Sequence, residues 1–111
     1  MDTDIISVIV CRPKEKPVRE EIKNDLKSLQ DLVGGHIECI NGPAGTIIVL
    51  NEEGKLLGLP MNFSIIHDAL LGTVVFVDRH PNGEDFASIP ESKEDMIKKF
   101  VSLGRKAIGL E

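Results

Sequence analysis

Asn51-Glu52-Glu53-Gly54-Lys55-Leu56-Leu57-Gly58-Leu59-Pro60-Met61-Asn62 is the stretch on which the reading of the fold turns. It follows directly on the apolar run 46–50, a strand signal, and Glu52-Glu53-Gly54-Lys55 has the composition of a tight turn. Gly54 is then free to take positive φ, residues 56–59 form a return strand carrying Leu56, Leu57 and Leu59 into the core, and Pro60 ends it. Upstream, 36–40 is another apolar run, joined to 46–50 by Asn41-Gly42-Pro43-Ala44-Gly45, whose length and residues suit a hairpin loop. Residues 36–59 therefore read as a three-stranded meander. Asn51, Lys55 and Asn62 have no structural task in that account, which makes them the first candidates for ligand contact. Asparagines beside turns also serve neighbouring backbone groups, so both roles stay open for Asn51 and Asn62.

Working outward, Ile5, Ile6, Val8, Ile9 and Val10, broken only by Ser7, have the density of a strand covered on both faces, in the centre of a sheet. Pro13 and Pro17 stop pairing, and 18–22 reads as an edge strand guarded by its charges. Asn24 or Asp25 can cap a helix over 25–33 whose apolar face is Leu26, Leu29, Leu32 and Val33, with Gly34-Gly35 as its left-handed exit. Beyond Asn62, apolar residues at 63, 65, 66, 69, 70 and 71 suit one or two helical turns ended by Gly72. Residues 73–77 are the second strand signal and end in Asp78-Arg79-His80, while 86–90 reads as irregular. Ser92 opens a helix over 92–103, with Asp95 completing a near capping box and Gly104 as the cap. The expected fold is one α+β domain over 1–111, a mostly antiparallel sheet of about five strands with the two helices packed on it.

Composition narrows the chemistry. The 111 residues hold 41% hydrophobic and 28% charged side chains, ordinary globular usage, and the aromatics are four Phe, so Ile, Leu and Val must fill the core. Few aromatics leave little for bases to stack on, and a formal net charge of −5 without a dense cationic run excludes a duplex nucleic-acid footprint. No run approaches the roughly 20 apolar residues of a membrane helix. The acidic start lacks a positive n-region, so a cytoplasmic protein is expected, with no membrane partner. Cys11 and Cys39, each within an apolar run, read as buried free thiols.

Candidate chemistry is sparse. His36, His67 and His80 are scattered without metal-ligand spacing, and adjacent His67 and Asp68 would point apart on a helix. No nucleophile elbow or phosphate loop occurs, and the glycine pairs read as turns. Glu52, Glu53, Asp78, Glu84 and Asp85 match no calcium loop. No catalytic residue, metal or cofactor is assigned. Arg79, with its planar fork of donors, and His80 could join Lys55 as a small anion site. The expected ligand-binding set is Asn51, Lys55, Asn62, Arg79 and His80.

Leu29-Gln30-Asp31-Leu32-Val33-Gly34-Gly35-His36-Ile37-Glu38, then 51–62, then Gly72-Thr73, resemble a family of small proteins of phages and bacterial mobile elements classed as a domain of unknown function. The resemblance covers about the central half of the chain and names no catalytic residue. It implies a phage or mobile-element source and action on a host, either by sequestering a nucleotide signal of antiviral defence or by blocking a host protein. The leading expectation is a non-enzymatic binder of a small phosphorylated or nucleotide-like ligand, with assembly into a homo-oligomer. A protein inhibitor or adaptor acting on a host protein comes second, and a small hydrolase third.

Overall fold

The computed structural model describes residues 5–111. Ile5–Cys11 (β1) and Val18–Lys23 (β2) form an antiparallel pair. Leu26–Val33 (α1) follows; its first turn is capped by the Asp25 carboxylate, which accepts from the Ser28 N–H, and Gly34 closes it at φ 81°. Ile37–Asn41 (β3) and Ile47–Asn51 (β4) make a hairpin, and Gly54–Leu57 (α2) is a single helical turn. Met61–Ile65 (β5) and Asp68–Leu71 (β6) pair only with each other. Val74–Arg79 (β7), Phe86–Ala87 (β8) and the long helix Glu91–Ala107 (α3) complete the chain.

The main sheet runs β2-β1-β7-β4-β3, every pairing antiparallel, with β8 against the end of β7. Alternation along the strands sends Ile6, Val8, Val10, Ile47, Val49, Val75 and Val77 to one face, under Leu29 and Val33 of α1. Ile9, Cys11, Ile48, Leu50, Val74 and Phe76 go to the other, under Phe63 and Leu70 of the β5–β6 hairpin and Ile97 and Val101 of α3. Both faces are covered, so the inner strands are apolar without alternation, as the sequence of β1 implied. The expected α+β class, the main antiparallel sheet and the two helices packed on it hold, and the β5–β6 hairpin adds a separate two-stranded sheet.

Four local expectations are corrected. Residues 56–59 do not return as a strand: α2 takes their place, the positive φ belongs to Gly58 and not Gly54, and Leu56 and Leu57 stand 86% and 57% exposed. The reason is lateral, because β3 and β7 already occupy the two sides of β4 and no ladder is left beside it. Residues 63–71 form a hairpin rather than helical turns, laid across the face that α3 leaves open, with Phe63 and Leu70 inward and Ile66 outward at the turn.

Third, α3 continues to Ala107, and Gly104 lies inside it as a packing residue. A Cβ there would overlap the Ser64 carbonyl oxygen and stand 3.1 Å from the Phe63 ring, so glycine lets α3 touch β5. Its start is Pro90, without a side-chain cap, so the Ser92–Asp95 capping box does not form. Fourth, Cys11 is buried as expected, but Cys39 is exposed because β3 is an outer strand.

Candidate functional site

The five sequence candidates fall in three separate places, Asn51 and Lys55 along one cleft, Arg79 and His80 at the end of β7, and Asn62 inside the core. Asn51, at the end of β4, is buried; its Nδ2 donates to the Val33 carbonyl at 3.1 Å and its Oδ1 accepts from the Glu53 N–H at 2.7 Å. It ties the last turn of α1 to the entry of α2. Lys55 reaches the Asp68 carboxylate, 2.7 and 2.9 Å from its two oxygens, and that hydrogen bond is the main reason the Asp68 carboxyl is held below its usual range. Both groups border a cleft of about 230 Å³ between α2 and β6, which also carries Glu38, Glu52 and Glu53. One cation among four carboxylates makes that cleft repel an anion.

Arg79 donates from Nη2 to Asn41 Oδ1 at 2.7 Å, beside a shallow hollow formed with Cys39, Ile40 and Ile47. His80 closes the following turn, its Nδ1 accepting from the Asn82 N–H at 3.1 Å. Arg79 and His80 lie at the end of β7, and neither meets Lys55 in a common cavity.

Asn62 is the informative one. Fully buried on β5, it donates to the carbonyls of Cys11 and Gly72, both at 2.8 Å, and its Oδ1 accepts from Arg105 Nη2 at 2.8 Å and from the Cys11 thiol at 3.3 Å. Arg105, only 6% exposed, also donates to the carbonyls of Arg12 at 2.8 Å, Glu15 at 2.7 Å and Asn62 at 3.3 Å. All these oxygens are neutral, and among the described residues no carboxylate pairs with the guanidinium. Burial pushes the Cys11 thiol up to about 11 against the opposing pull of Arg105 and Asn62, so it stays a neutral donor.

Arg105 opens onto a groove of about 260 Å³ between α3 and the β1–β2 connection, lined also by Lys16, Pro17, Lys98 and Ser102. Lys98 pairs with Glu94 at 2.9 Å, and Lys16 makes no ion pair among the described residues. The one acid on the rim is Glu111, whose carboxylate accepts from the Ser102 hydroxyl. Set against Glu111 and the Glu94 partner of Lys98, the cations Lys16, Lys98 and Arg105 leave this opening net positive, which the Lys55 cleft is not.

Sequence reasoning missed Arg105, Lys16 and Lys98. A signal for Arg105 existed, since it continues the buried stripe of Ile97 and Val101 at helical spacing and so puts a guanidinium on the inner face of α3. Lys16 and Lys98 look like any surface lysine until the loop and the helix meet.

A family model described as a domain of unknown function, DUF3846, matches residues 6–102, nearly the whole described fold. The chain belongs to that family. Comparison with curated proteins and with solved structures returns no match. The matched span of this DUF3846 domain contains Lys16, Asn51, Lys55, Asn62, Arg79, His80 and Lys98, and stops short of Arg105. No helix among the described residues is long and apolar enough to cross a membrane.

Proposed function

We propose that this DUF3846 domain is a non-enzymatic binder that takes a small phosphorylated or nucleotide-like anion at the Arg105 groove and sequesters it. The observation that carries this is the buried guanidinium without a carboxylate partner among the described residues, flanked by Lys16 and Lys98. A charge held away from water among neutral carbonyls is costly, and an anion at the groove offsets that cost in the bound state alone. Arg105 Nε and Nη2 are held by the scaffold, so the guanidinium contributes its charge and one remaining Nη1 N–H, and the ammonium groups of Lys16 and Lys98 supply the other donors to phosphate oxygens. At about 260 Å³ the groove is smaller than the roughly 300–1,000 Å³ of drug-sized sites, which fits a phosphate group seated inside with the rest of the ligand outside.

The resemblance to phage proteins makes a nucleotide signal of host defence the first ligand to try. Calorimetry against inorganic phosphate and a panel of linear and cyclic nucleotides tests this. Binding is expected from at least one phosphorylated compound, weakened by Lys16→Glu and by Lys98→Gln, and tightened by Glu111→Gln. Absence of heat from the whole panel, or heat indifferent to both lysine variants, overturns it.

A second reading, a protein inhibitor or adaptor acting on a host protein, is favoured by Leu56, Leu57, Met61 and Ile66, apolar side chains left in solvent. Recovery of one stoichiometric host protein, lost on changing Leu56 and Leu57 to serine, would support it in place of ligand capture.

A further inference from the structure

The two edges of the main sheet are built differently. β2 carries Arg19, Glu20, Glu21 and Lys23, and a second β2 laid antiparallel about its middle would set glutamate against glutamate. β3, at the other edge, reads Ile-Glu-Cys-Ile-Asn, with no lysine or proline and an unbroken register against β4.

The hydrogen bonds that bracket β3 show which of its backbone groups are free. Glu52 N–H donates to the His36 carbonyl at 2.9 Å, and Gly42 N–H to the Thr46 carbonyl at 2.8 Å. Antiparallel ladders alternate, so Glu38 and Ile40 bond to β4 while the N–H and C=O groups of Ile37, Cys39 and Asn41 point away from it. No backbone partner for those outward groups occurs among the described residues. Cys39, in the middle, is exposed.

We propose that β3 is a dimerisation edge: a second copy of this chain lays its own β3 antiparallel on it, about a two-fold axis at Cys39. In that register Cys39 faces Cys39 of the second copy, and Ile37 faces its Asn41. Glu38 faces its Ile40, so no like charges are opposed. The outward N–H and C=O groups fall opposite one another, and the two main sheets run on as one. This proposal is independent of the anion groove, which lies between α3 and the β1–β2 connection.

Sedimentation equilibrium of the full chain tests it, with Cys39→Pro as the first variant. The Cys39 N–H points away from β4, so proline removes the central donor of the dimer without removing a bond of the β3–β4 ladder. The wild-type chain is expected to sediment at twice the monomer mass and Cys39→Pro as a monomer with an unchanged circular dichroism spectrum. Should the proline perturb folding, Cys39→Lys and Cys39→Glu provide the second arm. Each alone opposes like charges across the axis and should dimerise less than wild type, while their equimolar mixture should form the mixed dimer in preference to either homodimer. A wild-type chain that stays monomeric at high micromolar concentration overturns the proposal. So does a folded Cys39→Pro that remains dimeric, or a mixture with no preference for the mixed dimer.

Discussion

Replacing Asn62 by alanine separates a scaffold amide from a ligand-binding one. The side chain is fully buried and donates to the carbonyls of Cys11 and Gly72, both at 2.8 Å, while its oxygen accepts from Arg105 at 2.8 Å. Alanine leaves those two carbonyls without their side-chain donor and one guanidinium N–H without its acceptor. Each buried group so orphaned costs about 1–3 kcal/mol, more for a charged one. Allowing for relaxation and water entry, the loss should be about 3–5 kcal/mol, a large share of the roughly 5–15 kcal/mol of a typical domain. Asn51→Ala gives up two bonds, to the Val33 carbonyl and the Glu53 N–H, and should lose about 2 kcal/mol. Lys55→Ala breaks only an exposed pair and should leave stability unchanged. Urea unfolding followed by far-ultraviolet circular dichroism reads all three. At a slope of about 1–3 kcal/mol per molar urea, Asn62→Ala should bring the midpoint down by 1 M or more. A loss under about 1 kcal/mol for Asn62→Ala, or a loss for Lys55→Ala equal to it, would refute the assignment of Asn62 to the scaffold.

Gly104→Ala would gain up to about 1 kcal/mol in an ordinary helix interior, but here the added methyl meets Ser64 and Phe63, so a net loss of about 1–3 kcal/mol is expected by thermal melting. An unchanged or raised melting temperature would show that α3 can shift off β5. In native protein at pH 8, a thiol reagent should modify Cys39 and leave Cys11 untouched until the chain unfolds. The Cys11 thiol ionises near 9 when free and near 11 in the fold, so the unfolded chain loses its proton first as pH rises. Stability measured in a Cys39→Ser background should therefore be intact below pH 9 and fall between pH 9 and about 11, and Cys11→Ala should flatten that fall. A slope that survives Cys11→Ala would assign it to another group.

Much of the fold was legible because its signals are local. The apolar density of β1 reports a strand covered on both sides and that of β7 a second strand, and Asp25 and Gly34 mark the ends of α1 by capping chemistry available within one turn. The hairpin of β3 and β4 followed from two apolar runs and a glycine-proline loop. The failures cluster where the answer depended on a distant strand. Residues 56–59 have a composition that allows a strand, yet β7, arriving later in the chain, holds the flank of β4. Residues 63–71 have apolar spacing that serves a helix or a hairpin, and only the space beside α3 decides between them.

The site divides in the same way. Asn51 and Asn62 stood out as polar residues without a task beside buried strands, which was a sound signal of importance, but it carried no information on whether the partner was a ligand or the backbone. Asn62 finds its partners at Cys11 and Arg105, 51 and 43 residues away along the chain. By itself the sequence determined an α+β domain with two apolar-faced helices, a two-sided sheet and no recognisable catalytic or metal motif, because periodicity, capping and composition act over a few residues. Only the tertiary structure decided that Lys55 is neutralised within an acidic cleft, while Arg105, Lys16 and Lys98 gather at one groove. Charges sum over distances in space, and neither the order of strands across a sheet nor the docking of a terminal helix is written in the spacing of the residues concerned.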